Sequence, residues 1–468
     1  MCEVVGLYYM QTLGCPKNQV DSDKLEGYLE AHGYGPASDA EAADLVVVNT
    51  CAFIDAARQE SIDTILSLGE RRRAGARLVV TGCLAERYGD ELRDALPEVD
   101  LVAGFGHDLV EASASGLAAV PVSLGATRGP ATPGAPGAGF DLLELPRPAA
   151  RAPWAYVKVA EGCDRICGFC AIPSFRGKQR SRTHDEILAE VDRLLESDGP
   201  GAPPLREVVL VAQDLASYGR DRSGPGRARR TGAGTTAGLP SPIAALTRAV
   251  AARVERTRLL YLYPSGLTDE LIAAVLDTGV PYFDLSLQHV SRPHLARMRR
   301  WGDGERFLRR ISDIRAAEPQ ATFRSSFILG YPGETERDHD LLLEFLATAQ
   351  LDWAGFFTFS REDGTHAADL PAQVPPELAL ERLRESAELQ DAVTATARDA
   401  LVGRTCQVLV DAPGRGRTVH EAPEIDGIVH LPADLAVGRL VEVTLTGAEG
   451  PDLRAVPVAA LAGSEAPA

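Results

Sequence analysis

Residues 161–182 read EGCDRICGFCAIPSFRGKQRSR and carry three cysteines, Cys163, Cys167 and Cys170, with no fourth beside them. A structural zinc site is closed by four protein ligands, and a disulfide framework needs pairs in an oxidising compartment. Three thiolates around a four-iron, four-sulfur cluster leave one iron exposed, free to take a small chelating molecule. The competing reading is a zinc loop completed by a distant residue such as His184.

The stretch follows an apolar run, WAYVKVA from Trp154, and further apolar runs alternate with helical patterns after it: EVVLVAQD, RLLYLYP, YFDLSLQH, FRSSFILG and WAGFFTFS. Six βα repeats predict a partial parallel (β/α)6 barrel with its chemistry at the C-terminal ends of the strands. Residues 219–240, rich in Gly and Arg, read as a surface insertion because such composition cannot bury a core. Upstream, GLYYMQTLGC, ADLVVVNTC and ARLVVTGC each give a short strand, then Cys15, Cys51 or Cys83, then a helical segment. Three such units predict an open parallel α/β sheet whose cysteines meet at one edge. A lone buried Cys is more often an inert small hydrophobe than a ligand. Three in the same place after successive strands read as ligands, whereas Cys2 and Cys406 receive no role.

A Pro/Gly/Ala stretch separates the two halves and reads as a linker. Helical spacing over 378–400 predicts a helix leaving the barrel, and period-two alternation beyond it predicts a small all-β barrel or sandwich. The expected organisation is therefore α/β, with an N-terminal domain over 1–125, a linker over 126–150, a barrel with its exit helix over 151–394, and a terminal β domain over 395–468. With 468 residues and 45% hydrophobic side chains, the chain is long enough for several cores. The N-terminus lacks the pattern of a signal peptide and no apolar run reaches transmembrane length, so a soluble, cytoplasmic protein without membrane contact is expected. A net charge of −18 argues against dominant phosphate binding and suits a basic partner.

The C-x3-C-x2-C pattern, with Phe169 before its last cysteine, resembles the radical S-adenosylmethionine (SAM) enzymes. The three upstream cysteines resemble those of the methylthiotransferases within that superfamily, and the terminal domain is similar to a TRAM module. LGCPKNQVDSD, NTCAFIDAARQES and IPSFRGKQRSR, supported by EAPEIDGIVHL, resemble the branch that acts on an aspartate of small-subunit ribosomal protein S-twelve. The resemblance implies two 4Fe-4S clusters, held by Cys15, Cys51 and Cys83 and by Cys163, Cys167 and Cys170, with SAM as co-substrate. It further implies a 5'-deoxyadenosyl radical that takes hydrogen from the aspartate β-carbon, an external electron donor, and a sulfur donor. No side-chain acid or base is required.

Other strand ends fit such a site, each with a plainer alternative. FILGYPGETE places Gly330, Gly333 and Glu334 where backbone could approach an adenine, or simply makes a Gly-Pro turn. Gln213, Asp214, Gln288 and His289 suit ribose or amino groups, or merely cap loops. Arg176, Lys178, Arg180 and Arg182 read as holding a carboxylate or as a solvated basic face. The terminal 68 residues hold five Arg and nine Asp or Glu and no Trp, Tyr or Phe. An acidic surface including Glu421, Glu424 and Asp426 is thus expected to attract a basic protein. A transfer RNA adenosine methylthiotransferase, with transfer RNA as partner, would need basic, base-stacking surface there. A noncatalytic iron-sulfur scaffold is the other rival.

Overall fold

A computed structural model describes residues 5–110, 140–196, 201–222 and 241–458. Cys2, most of the anticipated linker and the greater part of the 219–240 insertion lie outside the described residues.

The first unit is a parallel sheet of order β2-β1-β3-β4-β5, built from β1 (Gly6–Thr12), β2 (Tyr34–Pro36), β3 (Leu45–Thr50), β4 (Arg77–Gly82) and β5 (Leu101–Val102). The central strand, LVVVNT, is buried at every position, as a strand covered on both faces must be. Helices α1 (Pro16–Ala31), α2 (Asp55–Arg71) and α3 (Cys83–Ala95) follow β1, β3 and β4. The edge strands β2 and β5 were not legible in the cysteine repeat, because they span only three and two residues.

The second unit begins with β6 (Trp154–Lys158). The short β7 (Ala160–Glu161) and β8 (Arg180–Ser181) pair antiparallel and close the base of the cysteine loop. β9 (Glu207–Val211) and β10 (Arg256–Leu259) join β6 in one parallel sheet, and β11 (Tyr282–Gln288), β12 (Thr322–Leu329) and β13 (Trp353–Thr358) form another. A parallel bridge between Leu262 and Leu285 connects them, giving the six-stranded partial barrel that the alternating pattern predicts. Outward-facing apolar residues such as Val157, Leu210, Phe283 and Phe323 build the largest core with the surrounding helices.

The helix Pro376–Asp399 leads into a closed barrel of order β14-β15-β16-β18-β17. Its strands are β14 (Thr405–Ala412), β15 (Arg415–Arg417), β16 (Val429–His430), β17 (Leu440–Glu449) and β18 (Asp452–Pro457). The loop between β15 and β16 seals the N-terminal ends of the central barrel strands. Trp353 Nε1 donates to His420 O at 2.8 Å, Tyr282 Oη to Asp426 at 2.6 Å, and Arg256 to the carbonyls of Arg417 and Thr418.

That packing corrects the expected acidic surface. Glu421 is fully buried, paired with Arg398 and accepting from Thr418. The Asp426 side chain is also buried, and burial pushes its carboxyl up to about 6 against the opposing charge of Arg324. Only Glu424 of the three is exposed. Composition counted these charges correctly but could not reveal that two of them hold the terminal barrel to the central one.

Candidate active site between two cysteine triads

Because β1, β3 and β4 are parallel neighbours, their carboxyl ends share one edge. Cys15 sits at the N-cap of α1, Cys51 directly follows β3, and Cys83 opens α3. Gly14, at φ +91°, lets the backbone pass Cys51: a Cβ there would lie 2.8 Å from the Cys51 sulfur. Asn18 Nδ2 donates to Leu13 O at 2.9 Å and Thr50 O at 3.0 Å, tying two strand tips together.

Burial pushes the Cys51 thiol up to about 12 and also raises Cys83, although Arg176 opposes the latter. At Cys15 burial acts the same way, but the charges of Lys17 and Arg176 outweigh it and the thiol is lowered. Such thiols become thiolates when a metal replaces the proton.

The second triad occupies one loop between β7 and β8. Cys163 N–H donates to Gly177 O at 3.0 Å, Gly168 N–H to Met298 O at 2.8 Å, and Ala367 N–H to Gly168 O at 2.8 Å. Burial raises Cys163 to about 11 and Cys170 to about 12. Arg300 donates to Cys167 Sγ at 3.2 Å while its guanidinium lies over the Tyr263 ring. Phe169 is partly buried against the barrel core.

Among the described residues, no three cysteines bring their sulfurs all within 4.8 Å of one another. Tetrahedral ligands around one zinc, with Zn–S bonds of about 2.3 Å, stand only ~3.8 Å apart. Neither triad is drawn in to the spacing of a single zinc ion. His184 stacks on Tyr218 instead of completing the cysteine loop.

Arg176 joins the triads. Fully enclosed, it donates to Cys83 Sγ at 3.1 Å, to Asn18 Oδ1 at 2.7 Å, to Asp21 at 3.2 Å and to Glu161 at 3.0 Å. Glu161 stands two residues before Cys163 and also accepts from Lys158, which pairs with Asp21. Burial opposes ionisation of Glu161, but Arg176 and Lys158 win and hold it well below the ordinary carboxylate range. One buried ion network thus runs from the first triad to the base of the second. A second set of ties joins Arg58 of α2 and Arg87 of α3 to Glu362, beyond the tip of β13.

The basic stretch after the cysteine loop is therefore not one face. Arg176 is buried against Cys83 and Arg182 against Glu190 at 2.7 Å, whereas Lys178 is exposed and Arg180 pairs with Asp141 at the surface. The roles of Lys17, Asp21, Glu161 and Arg300 were missed. The only sequence signal for Lys17 and Asp21 was proximity to Cys15 in GCPKNQVDSD.

The remaining expected residues divide into two groups. Gln213 donates to Glu161 at 2.8 Å, Gln288 ends β11 at φ +70°, and neither they nor Phe169 are fully buried. Asp214, by contrast, is taken up by Arg165 at 2.6 Å. A Cβ on Gly330 would collide with Ala379, and one on Gly333 would lie 2.5 Å from Arg297. Glu334 accepts from the Gly330 N–H and faces Arg382 at 3.3 Å.

His289 and His294 are wholly buried beside Glu334, close enough for one ion. However, Ser291 N–H donates to His289 Nδ1 at 3.1 Å, so the neutral ring carries its proton on Nε2 and offers no lone pair there. Burial also depresses His289 far below its ordinary value.

Residues 7–104 match the uncharacterized protein family UPF0004, residues 157–346 the radical SAM superfamily and residues 402–458 the TRAM domain. The ribosomal protein uS12 methylthiotransferase RimO of Moorella thermoacetica is 42% identical over 93% of this chain and 95% of its own. The chain belongs to the RimO family. The RimO proteins of Chloroflexus aurantiacus and Saccharopolyspora erythraea are 38% and 39% identical over 95% and 96% of this chain, and 98% and 95% of their own. This RimO-family chain is a radical SAM methylthiotransferase. Membership of the superfamily implies SAM and a 4Fe-4S cluster. Among the described residues, no helix is long and apolar enough to cross a membrane.

Proposed function

We propose that Cys163, Cys167 and Cys170 hold one 4Fe-4S cluster, that Cys15, Cys51 and Cys83 hold another, and that the product is a β-methylthioaspartate in small-subunit ribosomal protein uS12. The observation that carries this reading is the continuous buried network through Arg176, which ties two incomplete sulfur sets into one site. When bound, the clusters and SAM supply the radical that removes hydrogen and the methylated sulfur that replaces it.

The chain's own residues bind, orient and enclose. Arg176 and Arg300 each donate to a cluster-ligand sulfur, which stabilises negative charge there. Phe169, Gln213, Asp214, Gln288, Gly330 and Glu334 are the residues that would hold SAM, Asp214 and Glu334 with their carboxylates already fixed by Arg165 and Arg382. The N-terminal domain covers the barrel's reactive end through the Arg58 and Arg87 contacts to Glu362, keeping water from the reacting atoms. Electrons and replacement sulfur come from external donors in a cytoplasmic setting, and the net charge of −18 favours a basic ribosomal protein.

Anaerobic reconstitution tests the assignment and should give about eight irons per chain. Replacing Cys163, Cys167 and Cys170 by Ala should halve the iron and abolish 5'-deoxyadenosine release. Replacing Cys15, Cys51 and Cys83 should also halve the iron, yet leave cleavage of SAM measurable and stop methylthio transfer to uS12, read by mass spectrometry. Modified transfer RNA in place of modified uS12 would overturn the substrate assignment.

A further inference from the structure

Buried cations in this protein are almost all met by oxygen. Lys24 reaches Glu190 and two carbonyls, Lys158 reaches Asp21 and Glu161, and Arg256 reaches three carbonyls. Arg258, Arg382, Arg398 and Arg417 each have a carboxylate, as do Arg176 and Arg182. Among the described residues Lys17 is the exception. It is 9% exposed, and its ammonium lies 3.2 Å from the centroid of the Tyr261 ring with no oxygen within hydrogen-bond distance.

Its position in the chain makes the exception sharper. Lys17 occupies the first turn of α1, where the helix dipole disfavours a cation. A local rule broken at a buried position points to a use for that charge. The attractive groups in its electrostatic reach are the Cys15 and Cys83 sulfurs and one carboxylate, Asp284, which already accepts from Tyr261 N–H at 2.9 Å and from Arg324 at 3.1 Å, so no free carboxylate meets the ammonium.

The surroundings identify the missing anion. Lys17 is two residues from Cys15 of the first triad. Tyr261, under its ammonium, is two residues from Tyr263, whose ring carries Arg165 at 3.8 Å and Arg300 at 4.3 Å beside the second triad. The ammonium of Lys17 thus lies on a tyrosine whose strand end also carries the ring beside the second triad, while its own backbone adjoins the first. In an aspartate, the carboxylate is bonded directly to the carbon that exchanges hydrogen for sulfur, so an anchor for one also places the other. We propose that Lys17 binds the side-chain carboxylate of the substrate aspartate, an inference that rests on the uS12 reading above.

The test uses reconstituted holoenzyme and two peptides from the target loop of uS12, one with the native Asp and one with Asn in its place. Wild-type enzyme should bind the Asp peptide at least about tenfold more tightly, the discrimination expected of one buried charge-assisted contact. Lys17→Met should erase that preference while leaving iron content, circular dichroism, SAM affinity and affinity for the Asn peptide unchanged. Lys17→Arg should restore part of it. An unchanged Asp/Asn ratio in Lys17→Met would overturn the proposal, as would loss of iron, which would assign the ammonium to the cluster. Weakened SAM binding would assign it to the SAM carboxylate and equally overturn it. If wild-type enzyme bound neither peptide but bound transfer RNA, the uS12 reading itself would fall, and this inference with it.

Discussion

The two triads reach similar incomplete sulfur sets by opposite routes. In the N-terminal domain each cysteine ends a different strand, so the spacing of Cys15, Cys51 and Cys83 is set by adjacent parallel strands. In the barrel all three sit on one loop, whose shape is held by backbone hydrogen bonds to the carbonyls of Met298 and Gly177 and from the N–H of Ala367. A sheet edge is rigid but distributes the site over the whole domain, so defects far away in sequence reach it. A loop is local, and its errors stay local. The arginines repeat the contrast: Arg176 is enclosed by two carboxylates and the first triad, while Arg300 is half-exposed and touches one sulfur of the second.

The largest expected effect comes from removing that asymmetry. Arg176→Met would leave Asp21 and Glu161 with only Lys158 between them. Stranding buried carboxylates in this way costs about 3–5 kcal/mol. Denaturant unfolding should show the loss as a lower midpoint, together with reduced iron from the N-terminal triad. Arg300→Met should cost only about 1 kcal/mol, since its contacts are partly solvated. Equal losses from the two variants would show that the sheet-edge and loop sites are supported alike.

A smaller break targets the sheet edge alone. Gly14→Ala introduces a Cβ at φ +91° and 2.8 Å from the Cys51 sulfur. Strain of this kind costs about 1–3 kcal/mol. Reconstitution of the variant should yield about four irons in place of about eight, with cleavage of SAM retained because the loop triad is untouched. Full iron content would mean that the strand tips yield easily.

These positions also show what the sequence could reveal. Three repeats of strand, cysteine and helix expose both the parallel sheet and its cysteines, because burial on two faces writes apolar runs such as LVVVNT. The six barrel strands are legible for the same reason. Arg176 was named only as one of a basic stretch, its buried bridging place unseen, and Lys17 was not named at all, because a buried cation is recognised by its partners, and those lie in other segments: Asp21 and Cys83 for the former, Tyr261 for the latter. Glu421 and Asp426 failed in the opposite direction. They look like surface charges until the loop that carries them is seen beneath the barrel, paired with Arg398 and Tyr282. The strand β15 escaped notice because its three residues, RGR, have no apolar alternation.

The smallest expected effect concerns how the two triads are kept in register, and it is read through pH. Lys24 of α1 meets Glu190 on the helix His184–Glu196 at 3.1 Å, fastening the helix that begins at Cys15 to the barrel. Burial alone would raise Glu190, but Lys24, Arg182 and Arg147 outweigh it and bring the carboxyl down to about 2 from the usual 4.5. A depressed carboxyl contributes its stability above the unfolded value and loses it as pH falls toward the folded one. The wild-type contribution should therefore be complete near neutrality and decline from about pH 5 downward, by about 1 kcal/mol between pH 5 and 3.5. Glu190→Gln should be less stable at neutral pH yet lose less on acidification over that window. Measured by denaturant midpoint, a pH slope in Glu190→Gln equal to that of the wild type would show that the acid sensitivity originates elsewhere and that this contact does not hold the two halves together.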